Sequence, residues 1–403
     1  MRKRWVFGFV FFILSLLGLR SAAGGEVADW PGFGGNAERT GNLDGQAGPE
    51  KANERWRFVD PESQAMSIDA SPAVCGGHVF IGGGRSSPFG NTGKMYCLDL
   101  KGNLIWEFKT AKWIFSSPAV SDGRVYFGEG LHTDAPCKMY CLNAETGKEL
   151  WSFTSRSHVE SSPQIVEGKL YFGAGDDGVF CLDAKTGKQF WNFPNAHVDL
   201  APAIVNGRLY AGTGYGKLGT FCLEASSGKL VWFSPTNVSV WGSPVVRGES
   251  VYFGAGNGNF RESAAEHIGG VISFDIQSGK RNWTTKIPDA VMTSMVLGKE
   301  RLYCGSRDGN VYAIGFAKGE ILWKAATGGP VLATPALCGE RLFVLGGDPN
   351  VRMLDASSGK ELWRYDLVKT TGSNQGDLDS SPAVSGGCVI FGTGKGNVIS
   401  LGK

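Results

Sequence analysis

The chain has 403 residues, 60 of them glycine, about 15% and roughly twice the usual share of about 7%. Hydrophobic residues make up 42%, with 24 Phe, 12 Trp and 10 Tyr, so there is material for a large core, and disorder and collagen-like repetition are excluded. The formal charge is +2, and no Lys/Arg block follows the first residues, so the phosphate-neutralising surface that nucleic acid requires is missing.

Arg2-Lys3-Arg4 precedes an apolar run from Trp5 to Leu19, and Ser21-Ala22-Ala23 offers small residues for signal cleavage. Residues 1–23 therefore read as an export signal. The run is shorter than the ~20 residues that span a bilayer comfortably, which makes a retained anchor the alternative. The first cysteine is Cys75, far from any lipoprotein-processing site, so the mature chain is expected in the periplasm or outside the cell, without a lipid anchor or transmembrane segment. Cleavage removes Arg2, Lys3, Arg4 and Arg20 and changes the charge from +2 to −2. The nine cysteines contain no C-x-x-C pair and are too sparse for a disulfide scaffold.

Residues 24–53 form an N-terminal extension, and from residue 54 the chain repeats. Ser71-Pro72-Ala73-Val74 recurs as Ser117-Pro118-Ala119-Val120, Ser162-Pro163-Gln164-Ile165, Ala201-Pro202-Ala203-Ile204, Ser243-Pro244-Val245-Val246, Ser294-Met295-Val296, Thr334-Pro335-Ala336-Leu337 and Ser381-Pro382-Ala383-Val384. Each copy leads through a turn such as Asp122-Gly123 into a strand such as Val125-Tyr126-Phe127-Gly128, then a third strand, a second turn and a Trp-centred strand. Four short strands per unit, with units 39 to 51 residues apart, predict an all-β chain of eight four-stranded propeller blades. The Trp recurs at 106, 151, 191, 232, 283, 323 and 363, but the last unit ends without one. The segment around Trp56 has the missing pattern, so an N-terminal strand is expected to complete the C-terminal blade and leave no open sheet edge. A single, monomeric ring over residues 54–403 follows.

The runs Ala144-Glu145-Thr146-Gly147-Lys148-Glu149-Leu150-Trp151, Ala184 to Trp191 and Ala356 to Trp363 resemble the tryptophan-docking motif of the pyrroloquinoline-quinone (PQQ) repeat family. The opening Asp29-Trp30-Pro31 is similar to the N-terminal segment of many such propellers. The resemblance implies that each Trp wedges between neighbouring blades. It leaves two functional classes open: PQQ-dependent dehydrogenases, which oxidise alcohols or sugars with PQQ and Ca²⁺, and non-catalytic propellers such as the lipoprotein of the outer-membrane β-barrel assembly machinery. On the first reading Trp241 corresponds to the quinone-stacking residue and Asn257 to a Ca²⁺ ligand. The remaining parts of that site are missing: no two cysteines are adjacent, Gly214 to Leu218 contains no acid, and Asp289 lies outside the family's pattern. The second reading, an exported non-catalytic scaffold without a cofactor that binds other envelope or secreted proteins, is the expected one.

Three residues before each repeat proline, where innermost strands begin at the mouth of the central channel, stand four acids: Asp69, Glu160, Asp199 and Asp379. His158 and His197 lie two residues before Glu160 and Asp199, and period-two alternation puts each His on the side of its acid. His158, Glu160, His197 and Asp199, with Asp69 and Asp379 beside them, are therefore candidate ligands for a divalent cation or a cationic group, although a solvated rim in which each His pairs with its own carboxylate is the expected arrangement. Cys97, Cys141, Cys181 and Cys222 hold one third-strand position in successive units and are expected to be packing residues. The loops between second and third strands vary most, including Glu129 to Pro136. The fifth-blade loop from Asn257 to Gly269, with Phe260, Arg261, Glu262, Glu266 and His267, is the expected partner-binding element.

Overall fold

The hairpins begin with turns that need two successive residues at positive φ. Asp122 and Gly123 have φ of 49° and 68°, Asn206 and Gly207 50° and 71°, and Glu167 and Gly168 51° and 72°. That backbone twist matches the twist of the flanking strands, and Gly adopts it at no steric cost. In the computed structural model, which describes residues 29–36, 48–60, 66–87, 90–132, 134–259, 262–372, 374, 376 and 378–402, these turns open the blades of an eight-bladed β-propeller.

Each blade is an antiparallel sheet, and in the first seven the strands follow chain order from the channel outward. The first comprises Ala73–Cys75, His78–Ser87, Gly90–Asp99 and Leu104–Thr110. The second comprises Ala119–Ser121, Arg124–Gly128, Cys137–Asn143 and Glu149–Ser155. The eighth takes three strands from the C-terminal end, Ala383–Ser385, Cys388–Gly392 and Asn397–Leu401, and its outermost from Glu54–Val59. Trp56 pairs there with Ser400 and Val59 with Asn397, so the seam is closed as the repeat count requires.

The outermost strand of every blade carries a Trp whose indole N–H donates to a carbonyl of the next blade. Trp56 reaches Leu100 at 2.9 Å, Trp106 Ala144 at 3.0 Å, Trp151 Ala184 at 3.2 Å, Trp191 Ala225 at 3.1 Å and Trp232 Ile276 at 3.0 Å. Trp283 reaches Phe316 at 2.9 Å, Trp323 Ala356 at 3.2 Å and Trp363 Pro49 at 3.3 Å. Pro49 belongs to the N-terminal extension, which therefore supplies the acceptor at this junction just ahead of the strand that completes the last blade. Within every blade but the seventh, where Met353 faces Trp363, the Trp lies opposite a small third-strand residue. Cys141, for example, pairs with both Trp151 and the second-strand Tyr126. All nine cysteines are free thiols and eight are buried. Burial pushes the Cys141 thiol up to about 12, which removes thiolate reactivity and fits the packing role.

At the channel the repeat serines link the innermost strands. Ser71 N–H donates to Ser117 Oγ at 2.9 Å, Ser117 N–H to Ser162 Oγ at 3.0 Å and Ala201 N–H to Ser243 Oγ at 3.0 Å. The chain of links resumes from Ser294 to Thr334 at 2.9 Å, Thr334 to Ser381 at 2.9 Å and Ser381 to Ser71 at 3.0 Å. Ala201, with no hydroxyl, cannot accept from the third blade. Residues of the extension lie against the ring too: Trp30, 3% exposed, exchanges backbone hydrogen bonds with Val74, and Pro31 accepts from Val120 N–H. The candidate signal at 1–23 lies outside the described residues. Among those described, no helix is long and apolar enough to cross a membrane. The stretch entering the last blade contains the five-residue helix Leu367–Thr371. Its amide at Lys369 is capped by the Asp366 side chain, and Gly372 ends it at φ 75°.

Gly187, in an outer turn, and Gly207, in an inner one, separate the two demands placed on the turns. At Gly187 φ is +73°, and a Cβ there would lie 2.8 Å from the Trp151 ring, whereas Gly207, at φ +71°, has nothing within 4 Å. Gly207→Ala is expected to cost only the left-handed backbone penalty of about 1–2 kcal/mol. Gly187→Ala is expected to cost at least 1 kcal/mol more, roughly the range of overpacking penalties, as compared by urea unfolding of the two variants.

Candidate functional site

Innermost strands Gln164–Val166 of the third blade and Ala203–Val205 of the fourth are each preceded by an extended segment anchored by a valine. Val159 and Val198 are fully buried. Val159 N–H donates to Glu129 O at 3.0 Å, and Val198 N–H to Gly175 O at 3.1 Å. Gly128 and Gly173 allow the close approach, since a Cβ on either would lie 2.3 or 2.4 Å from the valine carbonyl oxygen. With Val159 and Val198 turned into the blades, alternation turns His158, Glu160, His197 and Asp199 to the other side.

Asp199 is the hub. Its Oδ1 lies 2.8 Å from His158 Nε2, and its Oδ2 lies 2.9 Å from His197 Nε2 and 3.4 Å from His132 Nε2. Facing nitrogens and oxygens of His132, His158, His197 and Asp199 all lie within 4.8 Å of one another. Glu160, instead of joining this centre, sits outside it at 2.9 Å from His132 Nδ1. His197 Nδ1 is 2.6 Å from Asp176, and His158 Nδ1 is 3.3 Å from Ser157 Oγ. Tyr215 stands edge-on to His197 and to Trp241, at centroid distances of 4.9 and 5.4 Å, forming an aromatic wall.

Burial opposes charge on His197, but hydrogen bonds to Asp199 and Asp176 outweigh it and raise its pKa to about 9. His132 is raised as well, chiefly by its hydrogen bond to Glu160. Burial likewise works against the Asp199 carboxylate, yet the His158 and His197 hydrogen bonds hold its pKa well below the usual range. The expected pairing of each His with its own acid holds for His197; His158 bonds instead to the acid of the next blade. His132, Asp176 and Tyr215 went unseen in the sequence because they lie on loops outside the repeat pattern. The only hint for His132 was its place in the variable Glu129–Pro136 loop.

The family of the outer membrane protein assembly factor BamB matches residues 46–130, 131–314 and 268–402. The chain belongs to this family. No curated protein matches it. Among solved structures, BamB-family likeness is seen in BamB from Moraxella catarrhalis, at 17% identity and a TM-score of 0.67 over 88% of this chain and 98% of that one. The quinohemoprotein alcohol dehydrogenase from Comamonas testosteroni is similar at 13% identity and a TM-score of 0.68, over 93% of this chain and 81% of that one. A europium-containing methanol dehydrogenase is similar at 14% identity and a TM-score of 0.67, over 91% and 90%. At these identities the likenesses establish a shared fold.

The other candidate residues of this BamB-family propeller are spread around the ring. Asp69 accepts from Ser67 Oγ at 2.5 Å and from Trp113 Nε1 at 2.8 Å, and neither it nor Asp379 is part of the histidine cluster. Trp241 is set by a bulge in which its own N–H and that of Gly242 both donate to Gly254 O. Its indole N–H donates to Gly256 O at 3.1 Å. Asn257 has its amide engaged at both ends: Nδ2 donates to Glu266 O at 2.6 Å, and Oδ1 accepts from Ile268 N–H at 2.9 Å.

The fifth-blade loop is fastened to the sixth blade. Arg307, 7% exposed, donates to Glu262 O at 2.6 Å and to Asn259 O. Ser263 donates to Asp289 at 2.5 Å, and His267 Nδ1 lies 3.5 Å from the same carboxylate. Glu262 and Glu266 are exposed; Phe260 and Arg261 lie outside the described residues. Arg307→Ala deprives two carbonyls of their donor and is expected to cost about 1–3 kcal/mol. Hydrogen exchange should show faster amide exchange across residues 257–268, with the first-blade strands unchanged.

Proposed function

We propose that the chain is an exported, non-catalytic propeller that binds or assembles other proteins in the cell envelope. Membership of the family of an outer membrane assembly factor supports this reading, and the engagement of Asn257 carries it. A Ca²⁺ ion gathers about six to eight oxygen ligands, carboxylates among them, whereas the dehydrogenase reading finds one side-chain ligand here, the neutral Asn257 amide, whose oxygen already accepts from Ile268 N–H while its nitrogen braces Glu266 O. PQQ and Ca²⁺ therefore do not fit the residues that the dehydrogenase reading assigns to them. Trp241 has Tyr215 edge-on at 5.4 Å, no acid occurs between Gly214 and Leu218, and the buried thiols are dispersed over different blades.

A scaffold requires a rigid body with chemically distinct loops. The Trp and serine contacts between blades provide rigidity, and the fifth-blade loop presents Glu262, Glu266 and His267 on that frame. We assign partner contact to this loop, with Phe260 and Arg261 within it. On this reading residues 1–23 act as an export signal, and the mature chain works in the periplasm or beyond.

Incubation with PQQ and Ca²⁺ is expected to give no quinone absorbance change in the protein-bound fraction and no dye-linked oxidation of alcohols or sugars. Saturable binding with turnover would establish the dehydrogenase instead. Replacing residues 257–268 by a short Gly-Asn turn should preserve the unfolding midpoint within a few degrees while abolishing capture of envelope proteins by the tagged propeller.

A further inference from the structure

The three imidazoles of the channel mouth share one arrangement. Each turns Nε2 toward Asp199, at 2.8, 2.9 and 3.4 Å. Each turns Nδ1 toward a different outer group: Glu160 for His132, Ser157 for His158 and Asp176 for His197. A neutral imidazole has one N–H and one lone pair, and an ionised carboxylate only accepts. If Nδ1–H of His132 and His197 serves Glu160 and Asp176, both Nε2 lone pairs point at the Asp199 carboxylate, acceptor against acceptor. Protonating both rings relieves that conflict, but places like charges in rings whose centroids are 5.4 Å apart. A cation between the Nε2 atoms and Asp199 removes both problems in one step.

We propose that His132, His158 and His197, through Nε2, and Asp199 form a binding site for a first-row divalent transition cation, with Zn²⁺ as the ion the donor set fits best. Three imidazole nitrogens and one carboxylate oxygen make a closed four-coordinate set of the kind Zn²⁺ takes, whereas Ca²⁺ and Mg²⁺ select oxygen. Carboxylate or hydroxyl partners on the far nitrogen are what orient metal-binding histidines elsewhere, and all three are in place here. Zn–N and Zn–O bonds of about 2.0–2.2 Å put neighbouring ligand atoms roughly 3.3–3.5 Å apart. With all four donor atoms already within 4.8 Å, the site closes by a movement of about an ångström. The His132 side chain, 40% exposed on its loop, has the freedom to make it. His158, at 3%, is the fixed member. The ligands come from the second, third and fourth blades, so the ion ties three consecutive blades at the channel mouth. The site is independent of the scaffold reading, which stands whether or not metal binds.

Chelator-stripped full-length protein titrated with ZnCl₂ in a calorimeter is expected to bind one equivalent with a rise in melting temperature, and CaCl₂ is expected to give neither. Co²⁺ should produce the intense visible absorption of a four-coordinate site with nitrogen ligands. His132→Ala, on an exposed loop and therefore able to fold, should weaken Zn²⁺ by more than about 100-fold, and Glu160→Gln by roughly 10–100-fold. His267→Ala, on the fifth-blade loop, should bind as the wild type does. Absence of saturable one-equivalent binding by the wild type, or unchanged affinity in His132→Ala, overturns the assignment.

Discussion

The structure depends on the contact that each blade makes with the next. A four-stranded blade leaves two apolar faces and an outer edge, and it becomes stable only when neighbours cover the faces. Here an indole crosses every junction at the rim and a hydroxyl crosses most of them at the channel. The ring nitrogen of Trp151 meets Ala184 O while the ring packs on Gly187, and inside, Ser117 N–H meets Ser162 Oγ. Since the ring returns on itself, the same contacts join the chain's distant parts: Ser381 N–H to Ser71 Oγ, Ser380 Oγ to Ala70 O and Trp363 to Pro49 O. Apolar burial supplies the larger energy, at roughly 25 cal/mol per Å², and the hydrogen bonds set the rotation between blades.

That rotation makes the channel mouth a place where chemistry concentrates. Segments that are separate on neighbouring blades converge there, and a carboxylate on the fourth blade meets imidazoles of the second, third and fourth. The valines and glycines behind the site determine the direction of its side chains. Val159 and Val198 fill the blade interior, and Gly175, at φ +44° and too close to His158 for a Cβ, leaves room for the imidazole beside the turn. The fifth-blade loop is held by comparable means in the neighbouring sector, through Arg307 and Asp289. The two candidate surfaces thus differ in character: one is a preorganised, charge-dense cleft, the other an exposed loop pinned at its base.

Most of the architecture was legible from the chain because the cues are local and repeated. Asp122-Gly123 closes a hairpin wherever it stands, and the period of the Trp strands sets the number of blades. The site was legible only in part. Period two put His158 and His197 on the same side as Glu160 and Asp199; the structure brings both imidazoles to Asp199, whereas Glu160 faces the far nitrogen of His132. His132 belongs to a loop with no counterpart in other blades, so no spacing rule could connect it with Asp199. Asn257 matched a ligand position in a related class of enzyme, and only the tertiary structure reveals that its amide bridges Glu266 and Ile268 within its own loop.

The amino-acid sequence by itself determined the blade repeat, the ring closure by the Trp56 strand and the glycine-rich turns, since these follow from hydrophobic alternation and backbone sterics acting over a few residues. The tertiary structure decided which polar side chains meet. Convergence at the channel depends on the angle between blades and the path of unique loops, and both are set by packing between residues tens to hundreds of positions apart.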